Sequence, residues 1–320
     1  MSQAIDDALA QRVDAFLLKK DTKAGSLIVS IFGDAILPRG GMVWLGSLIS
    51  LLAPFGVNER LTRTAAFRLV KDDWLVQQPD GRRSNYALSP IGRLRFEKAA
   101  HRIYAANTPP WDGQWRLLSL SPHTATSRRD ALRRSLFWQG FGQLSGYLFV
   151  HPSAAFPAVF AALDGDGLQL ALPHLMPFAA RNPGLPGLGS DRDVVASAWD
   201  LEKLGQDYAA FCTRYRSIHR AVQALNGDER GNVPDEALAF KVRAMLIHDF
   251  RRLLLRDPEL PDALLPQQWP GLEARALTRA VYRFLLPASE RFLSATLCLA
   301  NGSPLKQGRR IEQRFLPSAN

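Results

Sequence analysis

The chain has 320 residues, 47% apolar and 22% charged, a composition that builds packed domains and excludes a disordered or low-complexity protein. Its net charge is +10 and its pI about 10.0, with 32 Arg among the 40 basic residues, which points to phosphate or carboxylate partners: nucleic acid, an anionic membrane or an anionic ligand. Two distant cysteines, Cys212 and Cys298, exclude a disulfide framework and a Cys-based zinc site.

Residues 1–25 read as a polar, flexible N-terminus with no secretory signal, since Asp6, Asp7 and Asp14 precede any apolar run. Ser26–Ile36 reads as a buried helix broken by Pro38-Arg39-Gly40-Gly41, and Met42–Leu52 as a second helical run ended by Pro54 and Gly56. Asn58 is a good N-cap for a third helix from Glu59 to about Asp73. Trp74–Val76 and Asn85–Leu88 read as strands joined through the turn signal Pro79-Asp80-Gly81, and Pro90 opens a fourth helix to about Ala106. Three helices, a hairpin with a basic tip and a helix within 26–106 form the order of a winged helix-turn-helix. Between Asn58 and Arg102 ten Lys/Arg face five Asp/Glu, so this segment supplies about half of the net charge.

Residues 107–114 read as a linker. In 115–190, Trp115–Leu120, Gln143–Val150 and Leu168–Leu172 read as extended, Arg128–Trp138 and Phe156–Leu163 as helices, and 173–190 as a Pro/Gly-rich connector. Strands alternating with two helices suit a ferredoxin-like α/β domain. The apolar run 135–163 is too interrupted by Pro and Gly to span a membrane. Residues 191–300 read as a helical C-terminal domain, where Trp199, Leu204, Tyr208, Phe211, Tyr215 and Ile218 form one apolar stripe, suited either to a dimer interface or to packing against 237–255. Residues 301–320 read as a basic tail. The fold class is therefore α+β and multidomain.

Enzyme signatures are missing: no nucleophile elbow, no phosphate loop and no His-Glu-x-x-His. Gly140-x-Gly142-x-x-x-Gly146 follows a helix instead of a strand, the wrong context for a dinucleotide fingerprint. The sharpest candidate is the hairpin tip, where Arg82, Arg83 and Ser84 can reach phosphates or enter a minor groove. The third helix offers Arg60, Thr62, Arg63, Thr64 and Arg68 for base and phosphate contacts. Two apolar stripes compete on that helix, Leu61/Ala65/Leu69 and Ala66/Phe67/Val70, and the sequence leaves its core face open. Arg128, Arg129, Arg133 and Arg134 crowd one helix and His248, Arg251, Arg252 and Arg256 another. Each cluster suits either an anionic ligand such as a coenzyme A phosphate or a solvated face.

Leu27–Gly41, Val43–Leu52, Pro54–Leu69, Gly81–Tyr86, Leu136–Leu144 and Leu246–Gly271 together resemble the PaaX-like family of phenylacetic acid catabolism repressors, over most of 26–290. The resemblance implies a bacterial, cytoplasmic transcriptional repressor with an N-terminal winged helix, a ferredoxin-like middle domain and a helical C-terminal domain. It implies a homodimer on operator DNA of aromatic-acid degradation genes, released by an aryl-CoA thioester such as phenylacetyl-CoA. On this reading the protein is no enzyme, holds no cofactor or metal and meets no membrane. Its DNA contacts fall on Arg60, Thr62, Arg63, Thr64, Arg82 and Arg83. The rivals are a metal-dependent nuclease built on the ferredoxin-like domain and a CoA-ester-processing enzyme. The first strand ends Leu120-Ser121-Pro122-His123, without the carboxylate such a nuclease needs, and no nucleophile and base for the second are found.

Overall fold

The computed structural model describes residues 2–18, 23–105, 110–224, 234–308, 311 and 313–315. It is a mixed α+β structure of helices and two small antiparallel sheets, with a helical C-terminal region. The chain forms two compact units, one from 1–106, 208–252 and 271–320, the other from 107–207 and 253–270.

In the first unit, helix α1 (Ser2–Leu17) occupies the segment expected to be flexible. Its Ile5, Leu9 and Val13 recur every fourth residue and are buried, a stripe hidden in the sequence by the aspartates between them. Helix α2 (Ala24–Ile31) runs on into a π-helical turn, Phe32–Ile36, and a 3-10 turn, Leu37–Arg39, and stops at Gly40, whose φ of +97° glycine adopts without strain. Leu27, Ile28, Ile31 and Phe32 are buried, each contributing about 1.5–3 kcal/mol over exposure. The expected second helix splits: Met42–Trp44 is strand β1 and Leu45–Leu52 is α3. Helix α4 (Glu59–Lys71) starts where Asn58 accepts the Leu61 N–H. Strands β2 (Leu75–Asp80) and β3 (Arg83–Leu88) form a hairpin, longer than the expected strands, and Ser89 caps α5 (Pro90–Ile103). The sheet order is β1-β3-β2, with Trp44 opposite Asn85.

The linker expected at 107–114 falls partly outside the described residues. The second unit holds β4 (Trp115–Leu120), α6 (Thr126–Trp138), β5 (Gly142–Ser145), β6 (Leu148–His151), α7 (Phe156–Gly165), β7 (Leu175–Ala180) and α8 (Asp191–Ala198), in the sheet order β5-β6-β4-β7. Two expectations are corrected here. The extended run 143–150 folds back as a hairpin, and the strand expected at Leu168–Leu172 is a 3-10 turn (Gln169–His174) preceding β7. Pro173 and Pro177 made β7 read as connector, but β7 is an edge strand, where a proline is tolerated. Leu118, Leu120, Leu132, Leu136, Phe149 and Leu163 form the core between sheet and helices. Trp115 donates from Nε1 to Asp191 (2.7 Å) and stacks on Trp199. A Cβ on Gly142 would lie 2.6 Å from the Trp199 ring, so that position takes only glycine.

Helices α9 (Leu201–Gln223), α10 (Glu236–Leu254) and α11 (Pro270–Thr296) make the helical region. The expected stripe is buried from Leu204 to Ile218, while Trp199 lies before the helix, in extended backbone. Phe211 meets Phe250 at 5.7 Å between centroids, and Tyr215 donates to Asp249 at 3.0 Å. The stripe is therefore consumed by packing inside one chain and offers no interface to a second copy. The segment expected as a basic tail is anchored as well: Leu305, Ile311 and Phe315 are buried.

Candidate nucleic-acid interface

The capped start of α4 sets which of its faces turns outward. Thr62, Ala65, Ala66 and Leu69 are buried, so neither of the two competing stripes is the core face by itself. Arg60, Leu61, Arg63, Thr64, Phe67, Arg68 and Lys71 are exposed, leaving five side chains of the outer face with cationic or hydroxyl groups. Thr62 corrects the expectation. It is 0% exposed and its hydroxyl donates to the Asn58 carbonyl at 3.0 Å, so it reaches no partner outside the protein. Arg63 pairs with Glu59 at 2.7 Å, but both are exposed and such a pair is worth at most about 1 kcal/mol, leaving the guanidinium available to a phosphate. Phe67, 65% exposed, shares this cationic face.

The hairpin extends the same charge pattern. The two-residue loop uses Gly81 at φ +57°, which puts Arg82 at an exposed tip. Ser84 is half-buried and accepts from Gln77 Nε2 at 2.9 Å. Arg83 is already engaged. Its guanidinium lies 4.8 Å from the centre of the Trp44 ring and donates to the Ala300 carbonyl at 3.0 Å, so it supports the tip from behind more than it projects from it.

Behind this surface lies a buried ionic cluster that the sequence did not announce. Asp34, in the π-helical turn, takes Arg243 Nε at 2.8 Å, Arg314 Nη1 at 2.7 Å and the hydroxyls of Tyr104 and Tyr282 at 2.6 and 2.9 Å. Glu290 takes Arg243 Nη1 and Arg39 Nη2, both at 2.5 Å. Burial alone would raise the Asp34 carboxyl, but Arg243 and Arg314 hold it below the usual carboxylate range. Burial pushes the Tyr282 hydroxyl up to about 12. Low solvent access makes each of these contacts strong and each missing partner costly. A lone Asp inside the apolar run 26–36 and an Arg inside the apolar run 239–247 were the signals available.

The two expected ligand clusters part company. His248 and Arg251 are turned into the protein. His248 Nδ1 is 3.0 Å from the Ser30 hydroxyl, and Arg251 donates to Ser30 Oγ and to the carbonyl and hydroxyl of Ser26, so both hold α2 instead of a ligand. Burial lowers His248 to about 4 and keeps it neutral. Arg252 is exposed. On α6, Arg128 is half-buried and Arg133 exposed, its guanidinium 5.5 Å from the Phe137 ring centre; Arg129 lies 5.8 Å from that of Tyr147. A cleft of about 720 Å³ in the second unit is lined by Arg192, Trp199 and Pro266, but also by Asp193, Asp200 and Glu202, a balance that repels a polyphosphate. Among the described residues, no helix is long and apolar enough to cross a membrane, and no group of three or more His, Cys, Asp or Glu is placed to hold a metal ion.

Three family models match in succession: PaaX-like protein over 23–92, PaaX protein central Cas2-like domain over 108–185 and PaaX-like protein C-terminal domain over 199–295. The Transcriptional repressor PaaX of Escherichia coli is 38% identical over 290 residues, covering 91% of this chain and 89% of its own. Among solved structures, an uncharacterized protein of Mycobacterium tuberculosis aligns at 26% identity and a TM-score of 0.46, covering 76% of this chain and 88% of that one.

Proposed function

The chain belongs to the PaaX-like family, and from that premise we propose that it is a bacterial, cytoplasmic transcriptional repressor that binds operator DNA of aromatic-acid catabolism genes and is released by an aryl-CoA thioester such as phenylacetyl-CoA. The observation that carries the reading is the likeness, along nearly the whole chain, to a relative named as a transcriptional repressor. The outer face of α4 and the basic hairpin tip support it independently.

The N-terminal elements are read as a winged helix-turn-helix, with α4 as the recognition helix and β2–β3 as the wing. Arg60, Arg63, Thr64 and Arg68 meet the major groove and its phosphates, and Arg82, with Ser84 and the braced Arg83, meets the backbone beside it. The β-α-β-β-α-β succession from β4 to β7, with the sheet order β5-β6-β4-β7, supports a ferredoxin-like middle domain. A homodimer follows from the small footprint of one such module, since two tethered modules bind one duplex with far greater avidity.

Release requires an effector with higher affinity for a state that does not bind DNA. An aryl-CoA offers phosphates for the exposed arginines of α6 and an apolar group for burial. The test is a gel shift on the gene's own upstream DNA, with and without phenylacetyl-CoA and free phenylacetate, alongside light scattering for the mass. Binding that only the thioester reverses, by a dimer, is expected. Failure to bind that DNA, or equal release by the free acid, overturns the reading.

A further inference from the structure

We propose that the hairpin formed by residues 297–305 is a second loop that contacts DNA phosphates, beside the β2–β3 tip. The proposal rests on the reading of the chain as a DNA-binding protein. Two arms define the hairpin: Leu305 N–H donates to Leu297 O at 3.1 Å, Leu299 N–H to Ser303 O at 2.8 Å, and Cys298 bridges Pro304. Strand β1 is only three residues long and ends opposite Asn85, which leaves the tip-ward end of β3 without a neighbour from β1. The hairpin takes that place. Trp44 N–H donates to Cys298 O at 3.0 Å, Ala300 N–H to the Asn85 side chain at 2.8 Å, and Arg83 to Ala300 O at 3.0 Å. Arg83 pairs with Asp80 across the tip, so the turn after Ala300 lies within one side chain of it.

The sheet-ward side of this hairpin is used for bracing, and its turn closes on itself, with Gly302 N–H donating to Leu299 O and Ser303 N–H to Asn301 Oδ1, both at 2.9 Å, so that what it turns outward is side chains. Asn301, Gly302 and Ser303 are exposed, and a Cβ on Gly302 would meet nothing within 4 Å. Small polar side chains in an exposed turn let a hydroxyl or an amide come close to phosphate oxygens. Lys306 follows, also exposed. A brace alone needs neither the polar turn nor an exposed cation beside it. A backbone contact needs both, because each neutralised phosphate releases condensed counterions.

The test uses the full chain and its upstream duplex, with affinity read by fluorescence anisotropy over a salt series for Ser303→Asp, Lys306→Glu and Arg82→Ala. Each hairpin variant is expected to weaken binding about tenfold at low salt, and Lys306→Glu, which removes a cation, to lower the log–log salt slope by about one. Thermal unfolding should stay unchanged, since both positions are exposed. Wild-type affinity and slope in the hairpin variants, with a loss in Arg82→Ala, would overturn this proposal and leave the DNA-binding reading standing. A wild-type chain that does not bind the duplex at all would remove both.

Discussion

Nε of Arg243 lies 2.8 Å from the carboxylate of Asp34, 209 positions earlier in the chain, and both side chains are shut off from solvent. The pair joins the π-helical turn that precedes β1 and α3 to helix α10. Arg243→Met should therefore destabilise the protein by about 3–5 kcal/mol, because Asp34 and Glu290 stay buried with less compensation. Urea unfolding followed by circular dichroism measures this, and a loss below about 1 kcal/mol would show that the cluster rearranges freely.

Stability should fall on mild acidification. Burial lowers His248, and likewise His151, from 6.5 to about 4 in the folded chain. The unfolded chain takes up these protons near 6.5, the folded one only near 4, so the unfolded state binds more protons between those values. The contribution is complete above about 6.5 and is lost as pH drops toward 4, by up to about 1.4 kcal/mol per pH unit for each histidine. Unfolding midpoints at a series of pH values should show the slope, and His248→Gln should remove its own share.

Thr62 and Arg60 are neighbours in sequence with opposite fates, and their alanine variants should separate accordingly. Arg60→Ala should leave the melting temperature alone and lower the salt slope of DNA binding by about one. Thr62→Ala should cost about 1 kcal/mol of stability, through its lost bond to Asn58 O, with operator discrimination unchanged. A shifted base preference in Thr62→Ala would show that this face turns outward on DNA.

Removing everything after residue 308 should be far from neutral. Phe315 packs at 5.4 Å from the Tyr104 ring and 5.2 Å from that of Tyr282, and Arg314 contacts Asp34. A loss above about 3 kcal/mol is expected from the buried ring and the uncompensated carboxylate together. A truncated protein that melts like the full chain would contradict the anchoring.

Signals in the sequence are legible where they depend on neighbouring residues. Asn58 as a cap, Gly81 as a turn and Pro90 as a helix start each act within a few positions, and each sits where expected. The sequence is not legible where a distant partner decides. The inward face of α4 depends on packing against α2 and α3, so Thr62 could not be sorted from Thr64 by periodicity. His248 and Arg251 looked like a ligand cluster because Ser26 and Ser30, which bind them, lie more than 200 positions away. A similar distance hid the anchoring of Phe315 on Tyr104, and a shorter one, some 40 positions, hid the splitting of β1 from α3, since β1 depends on its pairing with β3.

The hydrogen bond from Arg83 to Ala300 spans 217 positions and that from Arg314 to Asp34 spans 280. A ribosome adding about 5–20 residues per second needs on the order of tens of seconds between making the two ends of such a contact. Throughout that interval the nascent chain carries β3 without the hairpin that holds Arg83, and Asp34 without Arg314. A chain ended before Arg314 would keep a buried Asp34 short of one of its cations, so residues made last are needed to stabilise those made first.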